Sequence, residues 1–175
     1  MRNLALAAAA AVAFLSAGCN PTISFDTSVK GTSQIPGSNL PGVLNVPATF
    51  AGLNNINIAQ QSGFTNNNTD KDHIDHVRVK SITLVVTAPA GGDLSFLTKL
   101  AFSVSSQGLP TVEIGHQETF PAGQSTVAMT LDGVDLAPYA KAASFSIGAS
   151  GTGTAPRQDT TIEATMALTI DAHVL

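Results

Sequence analysis

Thr161-Ile162-Glu163-Ala164-Thr165-Met166-Ala167-Leu168-Thr169-Ile170-Asp171-Ala172 alternates polar and apolar residues with one interruption, Ala167. Successive side chains of an extended strand point to opposite faces, so this period of two sends Ile162, Ala164, Met166, Leu168, Ile170 and Ala172 to one buried face. A helix would scatter the same residues around its axis. The segment therefore reads as a long strand with one face on a core and one in water.

Working outward, the same period recurs. Ile82, Leu84 and Val86 form a second strand, but the preceding Val77 and Val79 have the opposite parity. That flip predicts a bulge near Lys80-Ser81, or a short helical turn ending at Val77. Leu100, Phe102 and Val104 give a third strand, Val112 with Ile114 a fourth, Val127, Met129 and Leu131 a fifth, and Phe145 with Ile147 a sixth. Nearer the amino terminus Ile23, Phe25 and Val29 share one parity, and Ile56 and Ile58 share a face.

Turn signals separate these runs: Ala90-Gly91-Gly92-Asp93, Gly108-Leu109-Pro110, Pro121-Ala122-Gly123, Asp132-Gly133, and the stretch from Gly148 to Pro156. Gly31 to Pro41 reads as a loop before Val43-Leu44. Asp93 to Leu97 and Asp135 to Tyr139 each place a capping Asp ahead of apolar residues at one-turn spacing and read as single helical turns. The expectation is an all-β fold over residues 23–175: an antiparallel two-sheet β-sandwich of about eight strands with one or two short helical turns. Phe96, Phe102 and Phe145 fall at core parity. Phe64 and Phe120 lie beside turns, packed under a loop or exposed as anchors for a partner.

Composition excludes several classes of function. The 175 residues are 43% apolar and only 11% charged, with a net charge of −4, which is not the make-up of a disordered chain. Eight Lys and Arg against twelve Asp and Glu supply no basic excess for a phosphate backbone, so no nucleic-acid partner is expected. A single Cys excludes an internal disulfide framework and a cysteine-based zinc cluster.

The amino terminus has a separate character. Met1-Arg2-Asn3 carries one positive charge, and Leu4 to Leu15 is an unbroken run of Ala, Leu, Val and Phe. Twelve residues span about 18 Å as a helix, short of a ~30 Å hydrocarbon core, which fits a secretory signal and not a permanent membrane span. Leu15-Ser16-Ala17-Gly18-Cys19 follows and holds the only thiol.

That stretch resembles the lipobox of bacterial lipoproteins. The resemblance implies a signal peptide at 1–18, diacylation of the Cys19 thiol, cleavage before Cys19, acylation of the new amino terminus, and a short lipidated tether at 19–22. Two or more acyl chains hold a protein stably on a membrane. Asn20, in place of the Asp that favours inner-membrane retention in enteric lipoproteins, implies the outer membrane. Without Arg2 the charge is seven basic against twelve acidic residues, or −5, and no polybasic stripe assists the lipid.

Candidate sites are few. Asn66, Asn68, Asp70 and Asp72 put oxygen donors at alternate positions, a spacing suited to calcium, but Lys71 intrudes and neither a sharp-turn Gly nor a twelfth-position Glu follows. The simpler reading is a solvated turn, with Thr69 or Asp70 capping one helical turn and Ile74 and Val77 packing inward. His73 and His76 lie three apart, within reach of one zinc ion if a third ligand came from His116 or His173; exposed surface histidines are the plainer account. Glu113, Glu118 and Asp171 are carboxylates that a glycosidase would need to bring together. No Gly-x-Ser-x-Gly elbow and no phosphate loop is present, and the absence of Trp argues against sugar stacking. The sequence thus points to a lipid-anchored envelope protein that binds another envelope protein or gives structural support, without catalysis and with no obligatory cofactor. The alternatives are a calcium-dependent glycan-binding module using the 66–72 loop and, third, an envelope hydrolase.

Overall fold

The structure, a computed structural model, describes residues 21–39 and 42–174. Among the described residues, nine strands form two antiparallel sheets packed as a β-sandwich. β1 (Thr22–Ile35), β9 (Thr160–His173), β3 (Ile74–Ala88) and β6 (Thr126–Ala128) make one sheet in that order. β2 (Val43–Ala48), β8 (Ser146–Thr154), β4 (Leu97–Ser106), β5 (Leu109–Gln117) and β7 (Thr130–Leu131) make the other. Two five-residue helices, α1 (Ser62–Asn66) and α2 (Ala137–Lys141), complete it. The expected all-β two-sheet sandwich is what forms; the turn expected at Asp135 to Tyr139 appears as α2, while α1 stands where no helix was expected.

β9 lies between β1 and β3, and its alternation is realised along its length. Ile162, Ala164, Met166, Leu168, Ile170 and Ala172 are at most 2% exposed, while the residues between them stay half-buried. Each of the four large side chains in that row contributes on the order of 1.5–3 kcal/mol by leaving water. The parity flip in β3 is resolved as a bulge: Val79 pairs with Leu168 and Ser81 with Ala167, leaving Lys80 as the extra residue. Strand continues on both sides of it.

The structure corrects the sequence reading in several places. β1 runs through Gly31 to Ile35, where a loop was expected, because Gly31 faces a core that has no room for a side chain. A Cβ there would sit 2.6 Å from Leu53 Cγ and 2.8 Å from the Ala51 carbonyl oxygen. Gly148 to Thr154 is likewise strand, paired with β4 on one side and β2 on the other. Gly151 and Gly153 admit close backbone approach: a Cβ on Gly153 would lie 2.2 Å from the Phe96 carbonyl oxygen. Val127, Met129 and Leu131 do not make one strand, since the chain leaves the four-stranded sheet after β6 and enters the five-stranded sheet as β7. Ile56 and Ile58, both buried, sit in an isolated bridge to Phe145 and a 3-10 turn.

Leu94 to Leu97 closes as a hydrogen-bonded turn and not a helix. Phe50 and Phe102 meet in the core at 5.3 Å between ring centroids. Phe64 packs edge-on against Phe25 at 5.2 Å, and Phe64, Phe120 and Phe145 are all buried, so neither Phe64 nor Phe120 is an exposed anchor; Phe96 is half-buried.

Candidate functional site

Three of the four histidines gather at the end of the sandwich where β1 begins and β9 ends. Thr22 pairs with His173, Ile74 with Ala172, and His76 with Asp171. The run Asn66-Asn67-Asn68 leads out of α1, with Asn68 in the left-handed region at φ 50°, a conformation Asn tolerates. Asn66 and Asn68 are exposed. Thr69 is buried and its hydroxyl donates to the His173 carbonyl.

Asp70 caps the 3-10 turn Lys71–His73: its Oδ1 accepts from the N–H groups of Asp72 and His73 and lies 2.7 Å from His73 Nδ1. The His73 ring, with those N–H groups, holds the Asp70 carboxyl below its ordinary value. Asp72 pairs with Lys71 at 2.5 Å. The oxygens spaced for calcium are thus arranged as a capped turn, and Ile74 and Val77 pack inward beneath it.

Each of these histidines engages its own carboxylate. His76 Nδ1 is 2.6 Å from Asp135 Oδ2, and His173 Nδ1 is 2.6 Å from Asp75 Oδ2. The second contact is close but lies outside hydrogen-bond alignment, so the buried His173 Nδ1 has no hydrogen-bond partner. His73 and His76 therefore do not share a ligand set. Asp135 Oδ1 accepts from Val77 and Ala137 N–H groups, fastening the start of α2 to β3. Burial pulls the Asp135 carboxyl up, but His76 and those two N–H groups outweigh it and hold the group below its ordinary value. Asp171 is lowered chiefly by the Ser24 hydroxyl and also by Arg78.

The three carboxylates considered for glycoside chemistry do not converge. Asp171 points outward from the four-stranded sheet beside Arg78, whereas Glu118 pairs with Lys99 on the five-stranded sheet and Glu113 lies near His116. The core separates Asp171 from the other two.

One grouping had no sequence signal. Glu113, His116 and Asp132 bring one ligand atom each within 4.8 Å of one another on the outer face of the five-stranded sheet. An open groove of about 450 Å³ at the other end of the sandwich is lined by Phe96, Asp93, Pro156 and Arg157 among others. Asp93 is structurally engaged there, accepting from Gly123 N–H and from Ser95. Cys19 lies outside the described residues.

No family model matches this chain, and no curated protein does. Among solved structures it is similar to the BFDV capsid protein in the crystal structure of its 60-mer, with 9% identity, a TM-score of 0.41, and coverage of 89% of this chain and 95% of that one.

Proposed function

We propose that this chain is a bacterial outer-membrane lipoprotein, anchored through acyl chains on Cys19, whose β-sandwich serves as a non-enzymatic binding or structural module for another envelope protein. The observation that carries the reading is the place of the only thiol, directly after an apolar run and at the end of Leu-Ser-Ala-Gly. Its separation from the fold supports it further. β1 opens at Thr22, three residues on, a reach of roughly 10 Å when extended. The end of the sandwich bearing His73, His76 and His173 then faces the bilayer closely, and the opposite end and both outer sheet faces are left for a partner. The carboxylates at the two ends act as caps and strand ties, which favours a structural role over acid–base work.

The test is Cys19→Ala expressed in a bacterium. Loss of detergent-phase partitioning together with retention of residues 1–18 is expected. A variant that is still cleaved before position 19 and still partitions into detergent overturns the reading, as does an unmodified Cys19 in the mass spectrum of the natural product.

A further inference from the structure

We propose that Glu113, His116 and Asp132 form a surface site for one zinc ion on the outer face of the five-stranded sheet. His116 Nδ1 lies 3.0 Å from Asp132 Oδ1 and 3.4 Å from Glu113 Oε1. Donors that share a tetrahedral zinc at bond lengths near 2.0–2.2 Å stand about 3.3 Å apart, so both separations match edges of one coordination shell. One imidazole nitrogen with two carboxylate oxygens suits a borderline ion better than calcium, which takes oxygen ligands.

The backbone is shaped to converge these groups. In an even strand residues three apart face opposite ways, yet Glu113 and His116 share a face. Gly115 pairs with Phe102 and Glu113 with Ser103, so Ile114 is an extra residue in β5. Ile114 and Gly115 both turn into the core, and the bulge brings Glu113 and His116 out on the same side. The residue after β7 supplies the third group: the pairing of β7 with β5 at Gly115 and His116, continued by the Asp132 N–H donating to the Ile114 carbonyl, sets Asp132 beside the ring.

The chemistry of the three groups is otherwise unassigned. Asp70 and Asp135 satisfy backbone N–H groups, but the carboxylates of Glu113 and Asp132 meet only His116 among the described residues. Two negative charges converge on one imidazole that carries at most a single positive charge, and a divalent ion neutralises both. Three protein ligands leave a fourth position for water or for a donor from another molecule. The site stands whether or not Cys19 carries lipid.

Calorimetry and thermal melts on the full-length protein in detergent, titrated with zinc chloride and separately with calcium chloride, test the proposal. One equivalent of zinc is expected to bind and raise the melting temperature, with no response to calcium at the same concentration. Glu113→Gln, at an exposed position that leaves the fold intact by circular dichroism, and Asp132→Asn should each weaken zinc binding at least about tenfold, since even outer-shell changes cost that much. The combined change of His73, His76 and His173 to Gln should leave it intact. No zinc binding by the natural chain, binding that survives Glu113→Gln and Asp132→Asn, or binding lost with the other three histidines overturns the proposal.

Discussion

The hydroxyl of Tyr139, the only tyrosine, donates to the Pro110 carbonyl oxygen at 2.7 Å and ties α2 to the start of β5. Tyr139 is 5% exposed, and the bond joins a helix to a strand that lies 29 residues earlier in the chain. Tyr139→Phe keeps the packing and removes the bond. A net intramolecular hydrogen bond is worth about 1 kcal/mol, so the melting temperature should fall by roughly 2–4 °C, with the near-ultraviolet spectrum otherwise that of a folded chain.

The glycines of β8 fall into two classes, and one substitution in each separates them. Gly153→Ala drives a methyl group against the Phe96 carbonyl and should cost about 1–3 kcal/mol or more, because backbone must move to admit it. At Gly148 a Cβ meets nothing within 4 Å, and the residue is exposed. Gly148→Ala should be neutral or stabilising by about 0.4–1 kcal/mol through the unfolded chain. Urea midpoints of the two variants at equal slope provide the comparison.

Leu168 is fully buried at the middle of β9, and Thr169 beside it is half-buried on the outer face, its hydroxyl donating to Asp26. Leu168→Ala should destabilise by about 2–5 kcal/mol, and Thr169→Ala by far less, since the bond it loses is exposed. A reversed order in denaturant melts would place the core on the wrong face of the strand.

Asp135 links stability to acid. Its folded carboxyl titrates below the ordinary value, so it contributes stability that is complete above the unfolded pKa and disappears as pH falls through the folded one. With ordinary carboxyls near 3.9, the loss sets in as the pH falls below about 4. Asp135→Asn retains an oxygen for the Val77 and Ala137 N–H groups and should mainly flatten this acid limb. Asp135→Ala should also cost about 1 kcal/mol at neutral pH. Stability of the three proteins measured across that range separates the two contributions.

Legibility of the fold followed from how each residue reports its surroundings. β9 was plain because its alternation is a direct image of one wet and one dry face, and the Lys80 bulge was plain because it flips that image. The strand at Gly148 to Thr154 was hidden because glycine signals a turn in isolation, while here it answers to the backbone of β4 pressing on it. The change of sheet at Met129 was invisible: Val127, Met129 and Leu131 keep one parity whichever sheet receives them. The grouping of Glu113 with His116 was hidden for a related reason. Their spacing places them on opposite faces unless Ile114 is extra, and an apolar residue beside a glycine carries no mark of that. Asp132 lies in what reads as a plain Asp-Gly turn.

The passage of the chain from β6 to β7 has a mechanical consequence. Met129 donates its N–H to Ile82 in one layer, and three residues later Asp132 donates to Ile114 in the other. The two layers are therefore held in alignment by covalent backbone over a span of four residues, as well as by the apolar contact between them. Sliding one layer along the other would have to stretch that short bridge, so a sideways load falls on this seam as well as on the core.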